Sequence, residues 1–230
     1  MQKDFVQFEK SIGLTFHNLK LLRQAFTHRS YLNEHRSEGG EHNERLEFLG
    51  DAVLELVATR YLFEKFPTHP EGDLTAFRAA LVNAVTCAEV ANELGMNEYL
   101  LLSKGESKDN GRARGVLLAN AFEALVGAIY LDQGYDAAKE FIESRLLPKL
   151  DTIVKKKLWR DAKSTLQEKA QEAEGATPSY AVIRETGPDH DKQFVVGVYV
   201  RDNMLAQGMG KSKQEAEQSA AQAALEAKGW

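Results

Sequence analysis

Cysteine is almost absent from this chain of 230 residues, where Cys87 stands alone. A single thiol forms no intrachain disulfide, so the fold must be held by burial and hydrogen bonding, as suits a reducing compartment. Long apolar runs are missing as well. By sequence, no stretch approaches the roughly 18 apolar residues of a membrane span. Met1–Lys10 carries charges where a signal peptide needs an apolar segment. A soluble, cytoplasmic protein with no membrane partner is therefore expected. Excess positive charge is the third absence. The formal net charge is −5, whereas nucleic-acid binders are usually basic. Residues 1–154 hold 17 Lys and Arg against 23 Asp and Glu, and residues 155–230 hold 12 against 11. Bulk charge thus gives no support for a polyanionic partner, and any such function must rest on where particular charges sit.

What is present falls into two kinds of pattern. From Phe5 to about Leu150 apolar residues recur at three and four, as in Leu46, Leu49, Val53, Leu56 and Val57, or Leu118, Phe122, Leu125 and Ile129, the spacing of amphipathic helices. Breaks fall at Ser37–Gly40, at Phe66–Gly72 and at Gly105–Gly115; the last has almost no apolar residues and is expected to be a surface loop. Cys87 lies in a helical stretch and reads as a small core residue. After Leu150 the pattern changes. Asp151–Trp159 reads as a charged connector or a helix end, and Lys163–Ala173 as a helix. Ser179–Thr186, Lys192–Val200 and Met204–Gly208 read as strands separated by turn residues, and Ser212–Lys228 as a closing helix. The expected architecture is an all-α domain over residues 1–150, a linker over 151–159, and a small α+β (α-β-β-β-α) domain over 160–230.

The most informative residues lie between Asn43 and Glu55. At 3.6 residues per turn, Glu44, Glu47, Asp51 and Glu55 fall within roughly 80° of one helix face. Leu46, Leu49, Val53 and Val57 occupy the opposite face. Like charges at i,i+4, as in Glu47 with Asp51 and Asp51 with Glu55, cost about 0.2–0.5 kcal/mol each. A stripe that repels itself invites a hard divalent cation, which takes carboxylate oxygens and keeps several waters. In the later helix Asn120 and Glu123 face the same way, with Gly127 leaving room beside them, while Phe122, Leu125 and Ile129 face a core. Spacing alone leaves two readings: a metal site, or the polar surface of two helices. His28, His35 and His42 recur every seven residues without a cysteine to join them in a zinc site. Gly208-Met-Gly-Lys-Ser212 lacks the first glycine of a phosphate-binding loop, since Leu205 stands there.

Asn43-Glu-Arg-Leu-Glu-Phe-Leu-Gly-Asp-Ala-Val-Leu54 resembles the signature of the ribonuclease III catalytic domain. Thr27-His-Arg-Ser-Tyr-Leu-Asn-Glu34, Glu71-Gly-Asp-Leu-Thr-Ala-Phe-Arg78 and Phe122-Glu-Ala-Leu-Val-Gly-Ala-Ile-Tyr130 agree in order and spacing. The C-terminal unit resembles the double-stranded-RNA-binding domain, so the resemblance covers nearly the whole chain. It implies a homodimeric, metal-dependent endoribonuclease acting in RNA processing. Such an enzyme cuts double-stranded RNA to 5′-phosphate and 3′-hydroxyl ends with short 3′ overhangs, using Mg²⁺ or Mn²⁺ and no organic cofactor.

Carried over by position, the resemblance makes Glu47, Asp51 and Glu123 metal-binding carboxylates, with Asp51 and Glu123 catalytic. Glu44 and Glu71 would help shape the cutting valley. Asn120 departs from the pattern, because the family usually has Asp there; its amide oxygen can still ligate a hard cation, without the charge. Either Asn120 is a tolerated variant, or the protein is a weakly active or non-cleaving dimer that binds double-stranded RNA. In the second domain, Gln167 and Glu168 match one minor-groove contact and His190, in the Gly187–His190 turn, matches the next. Lys211, Ser212 and Lys213 match a phosphate clamp at a helix N-terminus, which would add free N–H groups. Gln214 stands where the family often has another lysine, so weaker binding is expected.

Overall fold

The computed structural model describes residues 3–108, 111–155, 162–188 and 192–230. The chain divides into two compact units, Met1–Trp159 and Arg160–Trp230, each with its own apolar core.

Among its described residues the first unit is built from helices: α1 (Phe5–Ile12), α2 (Leu19–Ala25), α3 (Arg29–Glu34), α4 (Glu44–Lys65), α5 (Glu71–Leu81), α6 (Ala84–Glu93), α7 (Arg112–Gln133), α8 (Tyr135–Arg145) and α9 (Lys149–Lys155). Local chemistry sets several of their starts. The side chains of Asp4, Asn18 and Asn83 accept the amides of Gln7, Lys20 and Thr86 at 3.0, 3.1 and 2.9 Å, caps worth about 1 kcal/mol each. Gly13 ends α1 in the left-handed region, at φ 77°, where a side chain would be strained.

Helix α7 is the centre of this unit and packs on α2, α4, α6 and α8. Leu118, Phe122, Leu125 and Ile129 are buried, as the spacing predicts; each such side chain contributes about 1.5–3 kcal/mol. Ala119, Ala121, Ala124, Val126 and Ala128 are buried too, so the helix is apolar nearly all round. This corrects one expectation: Ala113–Gln133 is long and apolar enough to cross a membrane by length and composition. Much of its apolar surface is instead covered by neighbouring helices, as in a central core helix, while Val116 and Leu131 stay exposed. A second correction concerns Gly105–Gly115. Glu106–Lys108 forms a 3₁₀ turn and α7 already begins at Arg112. The polar residues there mark the first turn of α7 as well as a loop.

The second unit runs α10 (Ala162–Glu174), β1 (Pro178–Thr186), β2 (Gln193–Val200), β3 (Asn203–Gly210) and α11 (Lys213–Lys228). The strands form one antiparallel sheet in the order β1-β2-β3. A register shift between Val182 and Arg184 interrupts the first pair, and Arg201, at φ 54°, makes the turn into β3. Ala216, Ala220, Ala221 and Ala224 give α11 a small buried face. Strand β3 extends past the expected Gly208, because Met209 and Gly210 still pair with Val195 and Phe194. The two glycines there serve packing. A Cβ on Gly208 would lie 2.1 Å from the Ala220 nitrogen, and one on Gly210 would lie 2.6 Å from the Ala216 nitrogen.

Candidate active site

The first unit brings its carboxylates together where α4 crosses α7. The crossing is close because two glycines face each other's helix. A Cβ added at Gly50 would lie 1.8 Å from the carbonyl oxygen of Glu123, and one at Gly127 would lie 2.2 Å from that of Leu46. Gly127 therefore does not leave space beside the polar residues, as the sequence suggested. Its missing side chain is replaced by the backbone of α4, which draws Glu47 and Asp51 toward Glu123 and Asn120.

The start of α4 is fixed from behind. Asn43 is buried; it donates its backbone N–H to the Thr27 carbonyl at 2.9 Å and its amide nitrogen to the Ala25 carbonyl at 3.3 Å. Thr27 in turn donates its hydroxyl to the Arg23 carbonyl at 2.8 Å. The Thr27–Glu34 stretch also holds the segment after Leu101. Ser30 Oγ accepts the Ser103 amide at 3.0 Å and the Glu34 carboxylate accepts the Lys104 amide at 3.1 Å.

Electrostatics register the crowding. Burial and the charges of Asp51 and Glu47 push the Glu123 carboxyl up to about 7. Burial, Glu44 and Asp51 raise Glu47, against a hydrogen bond from the Asn120 side chain that lowers it. Cys87 lies on α6 within reach of the same field: burial, then Glu123 and Asp51, raise its thiol to about 12. The thiol is thus inert, as a core residue should be. The sequence carried no sign that it sits beside these carboxylates, because the contact depends on how α6 packs against α7.

Of the remaining carboxylates, Glu44 acts on this cluster by raising Glu47. Glu44 is half exposed, with Arg29 Nη1 at 3.8 Å and His42 Nδ1 at 3.7 Å. Glu55 is exposed on α4, and Glu71 is exposed in the first turn of α5. Neither contributes to the shifts at Glu47 and Glu123. Among the described residues no three His, Cys, Asp or Glu side chains converge tightly enough to enclose a bare ion. The donor set fits Mg²⁺ or Mn²⁺ nonetheless. Hard oxygens crowd one helix crossing, where Glu47 and Glu123 are raised in pKa, and Mg²⁺ binds through one or two carboxylates while keeping waters.

In the second unit Gln167, Glu168, Lys211, Ser212 and Lys213 are all exposed; His190 lies outside the described residues. The helix N-terminus is less open than expected. Ser212 Oγ accepts the Glu215 amide at 3.1 Å, and the Glu215 carboxylate accepts the Lys211 amide at 2.8 Å. This reciprocal capping satisfies donors that were expected to meet phosphate. Lys213 has a counter-charge in Glu185 at 3.5 Å and lies over the Phe194 ring at 5.8 Å.

Comparison with known proteins covers both units. Residues 18–150 match the Ribonuclease-III-like family, and residues 162–228 match the double-stranded RNA binding motif. The chain is 51% identical over 222 residues to Ribonuclease 3 of Geobacillus kaustophilus, covering 96% of this chain and 90% of that protein. With Ribonuclease 3 of Bdellovibrio bacteriovorus it shares 47% identity over 221 residues, covering 96% and 94%. Among solved structures, the nuclease domain of ribonuclease III from Campylobacter jejuni superposes with a TM-score of 0.57 at 39% identity. That match covers 63% of this chain and 99% of the other, and the structure concerns flexibility in a region of dimer formation.

Proposed function

The chain belongs to the ribonuclease III family, and from that premise we propose that it is a metal-dependent endoribonuclease of double-stranded RNA. It would act in cytoplasmic RNA processing and leave 5′-phosphate and 3′-hydroxyl ends with short 3′ overhangs. Residues 1–150 would be the catalytic domain, 151–159 the linker, and 160–230 the domain that holds the duplex. The observation that carries this reading is the pairing of Glu47 and Asp51 with Glu123 across the Gly50–Gly127 crossing, with the Glu123 carboxyl raised to about 7.

Glu47, Asp51 and Glu123 would hold Mg²⁺ or Mn²⁺, with the Asn120 amide oxygen as a fourth donor. When bound, the ion supplies a water of lowered pKa and offsets charge on the phosphoryl oxygens. The chain's own part is to fix donor oxygens on two helices whose backbones touch, so that their positions do not drift. Asn120 steadies Glu47 through its amide. Glu44, which has Arg29 and His42 beside it, and Glu71 would border the cutting valley. Gln167, Glu168, His190, Lys211, Ser212 and Lys213 would meet the grooves and phosphates of the duplex. The competing reading, a non-cleaving RNA-binding dimer, is not favoured: relatives at about half identity over nearly the whole chain are named Ribonuclease 3.

The homodimer is supported by the apolar side of α4. Phe48 is 82% exposed and Phe63 71% exposed, more than an isolated chain would leave uncovered. Phe48 also lines a cavity of ≈ 640 Å³ with Leu21, Leu49 and Leu131. Phe48→Glu should shift the protein to monomer in light scattering; an unchanged mass removes α4 from the interface.

Cleavage of a long RNA duplex tests the central reading. Cutting should require Mg²⁺ and should vanish in Asp51→Ala and in Glu123→Ala while duplex binding persists. Near wild-type cleavage in either variant would sink the assignment.

A further inference from the structure

Arg78, the last residue of Glu71-Gly-Asp-Leu-Thr-Ala-Phe-Arg78, has no part in the carboxylate cluster. It lies about two turns along α5 from Glu71, so the two share a face to within about 20°. Phe77 and Leu81 are buried and hold α5 against the core. Arg78 reaches across to α4, where its Nη1 donates to the Thr59 hydroxyl at 2.9 Å. Thr59 continues the series Glu47, Asp51 and Glu55 at intervals of four residues, along the carboxylate side of α4. Asp51, Glu55 and Thr59 are all exposed. The guanidinium is thereby tied to the end of the acidic stripe, about 12 Å beyond Asp51 along the helix axis.

An acidic surface offers arginines ready partners. Arg60, next to Thr59, pairs with Glu64 at 2.9 Å, and Arg29 lies 3.8 Å from Glu44. Arg78 makes no ion pair among the described residues; its partner is a neutral hydroxyl. Its charge is therefore not cancelled. Thr59 takes one N–H of the planar fork. None of the other guanidinium nitrogens is among the polar atoms shut away from water without a partner, so they face solvent. The residue is itself half-buried, and a packed stem loses less freedom when the head finds a partner. An anchored guanidinium with open donors suits a phosphate, which accepts two parallel N–H bonds from such a fork.

We propose that Arg78 binds a backbone phosphate of the RNA duplex beside the point of cleavage and so positions the strand over the carboxylates, with Thr59 aiming the guanidinium. This rests on the reading of the chain as an enzyme that cuts duplex RNA. A duplex whose scissile phosphate sits at Asp51 carries others past Thr59, because its charges are spaced much more closely than two helical turns. The exposed carboxylates of α4 repel such a strand, and a cation at the end of the stripe offsets that repulsion. Contacts of this kind fix register and carry no sequence preference.

The test is binding of a short RNA duplex to the full chain in EDTA over a series of salt concentrations, beside cleavage of the same duplex in Mg²⁺. Arg78→Gln should weaken binding about fivefold or more and lower the salt slope by about one, and Arg78→Lys should keep the slope. Arg60→Gln is the control, since Arg60 already has Glu64 as its partner, and it should leave the slope as it is. Thr59→Val keeps the guanidinium but removes its anchor and should weaken binding about two- to threefold, while Thr59→Ser should bind as the wild type does. This second pair keeps the test decisive if Arg78→Gln fails to fold. Normal cutting by the wild type with an unchanged salt slope in Arg78→Gln overturns the proposal alone. So does equal binding by Thr59→Val and the wild type, or the same drop in slope in Arg60→Gln, which would make the effect one of net charge. A duplex left uncut by the wild type in Mg²⁺ would sink the reading on which the proposal rests, and the proposal with it.

Discussion

The two units handle charge in opposite ways. At the α4–α7 crossing, Glu47, Asp51 and Glu123 are pressed together with only an amide, Asn120, among them, and two of the three are raised in pKa. At the start of α11 the charged groups are exposed, and the protein already provides them with partners: Glu215 for the Lys211 amide, Glu185 for Lys213. The first arrangement stores an electrostatic demand that a divalent cation would relieve. The second leaves little unmet, so a duplex must compete with internal contacts for the same groups. Partial burial of Glu47 and Glu123 accounts for the difference, since water and salt screen fully exposed charges more than those set against a neighbouring helix.

The comparison can be broken most severely at its geometric root. Gly50→Ala forces a Cβ to within 1.8 Å of the Glu123 carbonyl, so α4 must back away from α7. Overpacking of this kind costs about 1–3 kcal/mol and sometimes more, and cleavage should fall with it because the carboxylates separate. Urea unfolding beside a cleavage assay checks both effects. Wild-type stability and rate in this variant would show that the close crossing does not place the site.

Glu123 gives a smaller effect with a definite sign. Its folded pKa, about 7, is above the ordinary value of 4.5. Between these values the folded protein holds a proton that the unfolded chain has lost. Without metal, stability should therefore fall as pH rises from about 4.5 to 7. Glu47 is shifted the same way and adds to the trend. Glu123→Gln should flatten the fall measured by thermal unfolding, and Mg²⁺ should reduce it in the wild type. A pH profile identical in wild type and variant would mean the crowding has no energetic consequence.

The mildest effect belongs to the second unit. Glu185→Gln releases Lys213 from its counter-charge at 3.5 Å; exposed pairs of this kind are worth about 0.2–1 kcal/mol. Duplex RNA binding should tighten by a few-fold at low salt, with little change in stability. Lys213→Gln should weaken binding and lower the salt slope by about one. Indifference to both substitutions would place the RNA elsewhere.

Much of this was legible in the chain itself. The spacing of Leu118, Phe122, Leu125 and Ile129 gave a core face that is buried, and the strand and helix order of the second unit stands with shifts of a residue or two at most of its ends. Polar composition misled at Arg112–Gly115, which is helix rather than loop. Glycine misled at Gly127, and at Gly208 and Gly210 its packing role was not read. In a sequence glycine reads as space or a turn; here another helix's backbone occupies the place of each missing side chain.

The sequence by itself determined which carboxylates share a face, because helical periodicity is a local property of φ and ψ. It also determined the family, because four ordered motifs survive without reference to any contact. Only the tertiary structure decided that Glu123 and Cys87 lie in one electrostatic field with Asp51. It alone decided that the α11 N-terminus is capped by its own glutamate, and that Gly50 and Gly127 bring α4 and α7 into backbone contact. Such facts depend on groups far apart in the chain, and on the exclusion of water between them, which no local pattern records.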